Sequence, residues 1–283
     1  MRSPGQLLIC ILGLWVWTAP LMAGGVNTII IDGRKAHTSI SLPKPGGGNY
    51  TADFELEFHN PVNLTSACLG ISAEVLDAAA IASVQARLPD PVNQTIDPAF
   101  PVKITVEPPA GCGLEFEDEV DIELDTADLV YTGFSPYRLM KAPVGSSFRD
   151  ITASVTAGSV RSRGSSGTFS EFVMVLDAVQ AYATEAQQAF DMLDAQLANI
   201  AIGPTAKQTL QTDASVSRSA VAVNDYAQAI ARLDDLTLHC GALGGPALPN
   251  RWRSLRDLQN VEGEIVGQTD HLKFLLGRLN GVP

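Results

Sequence analysis

Polar and apolar residues alternate along much of the first half of the chain. Phe54, Leu56 and Phe58 are interleaved with Asp53, Glu55 and Glu57. Successive side chains of a strand point to opposite faces, so this pattern gives one dry face and one wet face. The same period recurs over residues 119–126, where Val120, Ile122 and Leu124 oppose Asp121, Glu123 and Asp125. Further strands are expected at 26–31, 34–42, 68–76, 102–106, 137–141, 150–155, 159–163 and 169–175. Turn signals such as Asp32-Gly33 and Pro108-Pro109-Ala110-Gly111 punctuate them. An Ala-rich stretch at 77–88 predicts one short helix. Short strands at this spacing predict a β-sandwich.

Near Asp177 the period changes. Leu176, Val179, Ala183, Ala186, Phe190, Leu193, Leu197 and Ile200 step by three and four in alternation, the spacing of a helix face. Asp177 followed by Gln180 resembles a capping box. Gly203-Pro204 ends this helix and starts a second, whose stripe is Val216, Ala220, Val223, Ala227 and Ile230. The second helix stops near Cys240-Gly241. A third, capped by Asn250, carries Leu255, Leu258, Glu262, Ile265, Thr269, Leu272, Leu276 and Leu279, with Asn280-Gly281 as its stop. The expected fold is therefore α+β: a β-sandwich domain over 24–176, then a helical domain over 177–283 built as a bundle of about three antiparallel helices. The heptad seam of the first helix could alternatively pair between chains.

The extreme N-terminus follows neither pattern. Arg2, the apolar run 7–17, Pro20 and the small-residue site Leu21-Met22-Ala23 have the layout of a signal peptide. The run is too short for a bilayer, which takes about 20 residues. Cleavage is expected after Ala23, giving an exported protein, periplasmic or extracellular. No later segment is long and apolar enough to span a membrane.

Charge narrows the partners. With 31 acidic against 19 basic residues the net charge is −12, and nucleic acid, which needs a basic face, is not an expected partner. Three cysteines follow the expected cleavage site: Cys68, Cys112 and Cys240. Export permits disulfides. Cys68 and Cys112 share the strand-rich region and are the expected pair, closing a loop of about 45 residues worth roughly 4 kcal/mol in the chain-entropy picture. The alternative is three buried thiols.

No catalytic motif and no cofactor is expected. The Gly-x-Ser-x-Gly elbow, His-Glu-x-x-His, phosphate-binding Gly-rich loops and Cys-x-x-Cys pairs are all absent. His239, Cys240 and His271 are conceivable metal ligands but lack a fourth; a surface or capping role is the plainer reading. Cys240 falls near a helix C-terminus, where the dipole opposes a thiolate. Glu115, Glu117, Asp118, Glu119, Asp121, Glu123, Asp125 and Asp128 contain enough oxygens for calcium, yet strand alternation spreads them along one face. The plainer reading is a solvated strand face protecting a sheet edge. Asn49, Asn63 and Asn93 each begin an N-glycosylation acceptor triplet.

One stretch has a familiar order. Val102-Lys-Ile-Thr-Val-Glu-Pro-Pro-Ala-Gly111, Val120-Asp-Ile-Glu-Leu124, Tyr137-Arg-Leu139, Phe148-Arg-Asp-Ile-Thr152 and Gly167-Thr-Phe-Ser-Glu-Phe172 follow one another. The order resembles the closing strands of ZU5-like and immunoglobulin-like sandwich modules of exported bacterial proteins, over residues 102–173. That resemblance implies an immunoglobulin-like sandwich used for structure or interaction, with no catalytic residues to carry over. The helical ending departs from the pattern. The expected function is a non-catalytic interaction or structural protein with a protein partner or self-association. A ligand- or glycan-binding module and an enzyme with an unfamiliar site are the alternatives. Trp252 is the only tryptophan beyond residue 23, which gives a glycan platform little material.

Overall fold

The structure, a computed structural model, describes residues 25–156 and 158–282. The expected signal peptide and its cleavage after Ala23 lie outside the described residues. In chain order the strands are β1 (Ile30–Asp32), β2 (Lys35–Pro43), β3 (Asn49–Val62), β4 (Ile71–Val75), β5 (Gln94–Ile96), β6 (Val102–Val106), β7 (Glu115–Thr126), β8 (Tyr137–Ala142), β9 (Arg149–Asp150), β10 (Thr152–Thr156), β11 (Val160–Ser166), β12 (Glu171–Asp177) and β13 (Arg251–Arg253). The helices are α1 (Ser66–Leu69), α2 (Ala78–Gln85), α3 (Tyr182–Leu197), α4 (Pro204–Ala222), α5 (Tyr226–Leu243) and α6 (Val261–Leu279). The fold is mixed α+β.

The strands form two antiparallel sheets. The first runs β1-β2-β3-β7-β11-β10, with β13 joined to β7; the second runs β4-β6-β12-β8-β9, with β5 on β12. The two alternations visible in the sequence meet across one ladder: Phe54 faces Leu124, Leu56 faces Ile122 and Phe58 faces Val120. All six side chains are buried. Phe54 of the first sheet and Phe172 of the second have ring centroids 5.7 Å apart, so the inner faces of the two sheets share one core. On its other face the second sheet is covered by α2 and its flanks, where Val84 and Leu88 pack on Met140, Val173 and Val175.

The acidic strand β7 is central, not an edge as its charge suggested, because β3 and β11 flank it. Its carboxylates are met by cations from neighbouring strands. Arg161 reaches Asp125 at 2.8 Å, Arg163 reaches Glu123 at 2.5 Å, and Arg251 of β13 reaches Glu115 at 3.3 Å.

The helices correct several boundaries. Asp177 does accept from the backbone N–H groups of Val179 and Gln180, as a capping residue would, but it still belongs to β12, and α3 begins only at Tyr182. Within the expected seam Ala186, Phe190, Leu193 and Leu197 are buried, whereas Val179 and Ile200 are exposed. The single helix expected after Gly203-Pro204 is two, α4 and α5. The break is at Asn224, whose φ of 60° lies in the left-handed region, and Asp225 caps the new helix. Four helices thus replace the three expected among the described residues of 177–282. The cap of the last helix is Asn260, not Asn250: its side chain accepts from Gly263 N–H.

Helix α6 is buried nearly all round, which fits a helix packed between other elements rather than on a surface. It packs against α3 and α5 on one side and against β7, β10 and β11 on the other. Two glycines allow the close approach. A Cβ at Gly263 would lie 2.5 Å from the Asp118 carbonyl oxygen, and one at Gly267 would lie 2.3 Å from that of Ser165. Residues of α6 and of both sheets belong to a single hydrophobic core.

Candidate binding cleft

A concavity lies where the end of the sheets meets the C-terminal helices. It is a cleft of about 620 Å³. One wall comes from the end of β6 and the turn after it, through Val106, Glu107 and Pro108. Pro143 and Val144 follow β8, and Thr168, Phe169 and Ser170 lead into β12. The opposite wall comes from the C-terminal half: Gln196 and Asn199 at the end of α3, Trp252 on β13, Arg256, Leu258, Gln259 and Asn260 between β13 and α6, and Val261 and Glu264 on α6. Val144 and Leu258 are exposed apolar members, at 56% and 38%.

Trp252 reaches the cleft through β13, a three-residue strand with no readable period of its own. It stacks on Phe116 at 5.3 Å and meets Phe169 edge-on at 4.9 Å. Only 5% of it is exposed. It is therefore a wall anchored in an aromatic cluster, not a protruding platform.

A charged network underlies the cleft. Glu264 of α6 accepts hydrogen bonds from Ser166 Oγ at 2.9 Å and Thr168 Oγ1 at 2.8 Å, and pairs with Lys141 at 3.2 Å and with Arg149. Burial pushes the Glu264 carboxyl up, but Arg149 and Lys141, aided by the two hydroxyls, outweigh it and hold it well below the usual carboxylate range. Burial lowers the Lys141 amine to about 8, with Arg149 adding to the effect and Glu264 opposing it. Lys141 Nζ also contacts Thr168 Oγ1 at 2.5 Å. These side chains come from β8, β9, β11, the turn after β11 and α6, and no motif in the sequence marks any of them as a site.

Away from the cleft two carboxyls are raised far, Glu262 and Glu185. Burial, with repulsion from Asp118, Glu119 and Glu117, raises Glu262 to about 8, and its Oε2 has no hydrogen-bond partner. Burial raises Glu185 to about 7, although Arg138 opposes it. Arg138 is wholly buried, 3.4 Å from Asp150 and over the rings of Tyr182 and Phe274.

The residues singled out from sequence fall elsewhere. His239 pairs with Asp213 at 2.7 Å, while His271 is buried with Nδ1 2.9 Å from the Thr152 carbonyl oxygen. Cys240 is fully buried, and its thiol is pushed up by that burial and by Glu262. Among the described residues no group of three or more His, Cys, Asp or Glu side chains is placed to hold a metal ion, the acidic strand included. Cys68 and Cys112, the expected disulfide pair, are side by side as thiols: Cys68 Sγ donates to the Cys112 carbonyl oxygen at 3.0 Å. Among the described residues no helix is long and apolar enough to cross a membrane.

No curated protein matches the sequence. Residues 14–280 match the family described as a family of unknown function (DUF6689), and the chain belongs to that family.

Proposed function

We propose that this member of the family is an exported, non-catalytic binding protein that takes an uncharged segment of a protein partner into the cleft. On this reading the paired sheets are an immunoglobulin-like sandwich, the helices form a bundle docked on it, and the signal peptide is removed after Ala23. The cleft itself supports the reading. It combines apolar side chains with the amides of Gln196, Asn199 and Gln259, and each of its charged members has a partner of opposite charge. Arg256 pairs with Glu107 at 3.2 Å, and Glu264 is saturated by the network below. Apolar walls with a few placed polar groups are the usual make-up of a binding site. A glycan-binding role lacks such support, since Trp252 is stacked inside the protein.

The test is binding of a library of neutral, apolar-rich peptides to the folded chain, repeated with Val144→Asp and Leu258→Asp. Both positions are exposed, so the variants are expected to melt as the parent does. Micromolar binding weakened tenfold or more by either change supports the cleft. Binding that ignores both changes, or turnover of a substrate by the purified chain, overturns the proposal.

A further inference from the structure

We infer that Cys68 and Cys112 are a modification site: a thiol pair that closes to a disulfide by exchange with a disulfide-bearing oxidant and so clamps the turn that walls the cleft. Their shared strand-rich region suggested the pairing; the structure supplies the approach and the consequence. Each sulfur lies against the other residue's backbone, with Cys68 Sγ 3.0 Å from the Cys112 carbonyl oxygen and Cys112 Sγ 3.5 Å from that of Cys68. A disulfide needs Cβ atoms about 3.5–4.5 Å apart, and reciprocal contact of each sulfur with the other's backbone is the approach that leads to it. The segments carrying them are held together independently of the sulfurs. Glu107 N–H donates to the Gly70 carbonyl at 3.2 Å, and Asn63 donates its amide to the Cys112 carbonyl. Cys240 is sealed inside the helices on α5, leaving it without a part in the exchange.

The pair is asymmetric. Cys68 is buried and Cys112 only half-buried. Burial, then the neighbouring Cys112 thiol, push the Cys68 thiol up; Cys112 is the more accessible sulfur, and the exchange begins there. Its thiolate attacks one sulfur of the oxidant, forming a mixed disulfide and expelling a thiolate. Cys68, losing its proton, then attacks Cys112 Sγ, forming the Cys68–Cys112 bond and expelling the second thiolate. The oxidant gains two electrons and both protons; the pair loses them.

The clamp bears on the cleft because the turn is shared. Cys112 N–H donates to the Pro109 carbonyl at 3.0 Å, closing a turn that begins just after the cleft residues Glu107 and Pro108. The same turn accepts from the segment that carries Arg256 and Leu258, since Ser254 N–H donates to the Leu114 carbonyl at 2.8 Å. The exchange itself does not depend on what the cleft binds.

The experiment treats the folded chain with oxidised glutathione, then labels free thiols with a maleimide in denaturant before and after reduction, with peptide mapping. Two labels gained on reduction, at Cys68 and Cys112, together with an intact mass that carries no glutathione, support the pair; a glutathione adduct retained on each cysteine overturns it. Cys68→Ser is expected to stop at one glutathione adduct, on Cys112. Limited proteolysis within residues 107–114 is expected to slow several-fold on oxidation. Continued labelling of both cysteines after oxidation overturns the inference, as does a gain of label at Cys240.

Discussion

Two carboxyls on α6, two residues apart, carry opposite pH signatures. Glu264 is depressed by its cations, so its contribution to stability is present above the ordinary value of 4.5 and fades only as acid titrates it below that. Glu262 is raised to about 8 and has an unpartnered oxygen. In the unfolded chain it loses its proton near 4.5, so between 4.5 and about 8 the unfolded state binds fewer protons and stability falls as pH rises. Glu262→Gln removes that slope and offers the facing carboxylates a donor. At pH 8 the variant is expected to be more stable than the parent by roughly 1–3 kcal/mol, the scale of one unmet buried polar group. The gain should vanish below 4.5. Urea unfolding at the two pH values measures it, and a variant less stable at pH 8 refutes the assignment. Glu264→Gln acts the other way. It leaves Lys141 and Arg149 without their counter-charge, and a loss of about 3–5 kcal/mol is expected in the same assay at neutral pH.

Elements were legible where a period ran long enough. The two alternating stretches on β3 and β7 pair in the register that puts their apolar faces together. The stripe Ile265, Thr269, Leu272 and Leu276 is buried on α6, although the helix buries its other sides as well. Four things hid from pattern. A three-residue strand such as β13 has no period to read. The break at Asn224 turns on one left-handed residue. In β8 both faces are covered, so Arg138 and Lys141 are buried despite their charge. The packing of α6 hid as well, because a glycine inside a helix normally signals weakness. Replacing a helical glycine by alanine gains up to about 1 kcal/mol in propensity. At Gly267 the new Cβ would sit 2.3 Å from a backbone oxygen, and overpacking of that kind costs about 1–3 kcal/mol. Gly267→Ala should therefore destabilise. Gly241→Ala on α5, where a Cβ meets nothing within 4 Å, should stabilise slightly. Equal effects in thermal melts would show that propensity, not the close helix–strand contact, governs both sites.

At the scale of the molecule, composition divides the chain near Asp177 but the core does not. Phe54 and Phe172 of the sheets and Ile265 and Leu276 of α6 belong to one hydrophobic cluster, and β13 returns from the helical half to pair with β7. The cleft exists only through this return, since its walls come from both halves. That explains why no local reading of the sequence located it. The seam of α3 is likewise spent within the chain, against α6. Light scattering after size-exclusion chromatography is accordingly expected to give a monomer; a stable dimer would mean another face pairs. A shared core also predicts shared unfolding. Trp252 reports on the junction through its contacts with Phe116 and Phe169, while far-ultraviolet circular dichroism is dominated by the helices. For one cooperative unit the two signals lose their native values together as urea rises. Helices that melt first, with Trp252 fluorescence unchanged, would show that the two halves are separately stable and that the cleft opens before the sheets do.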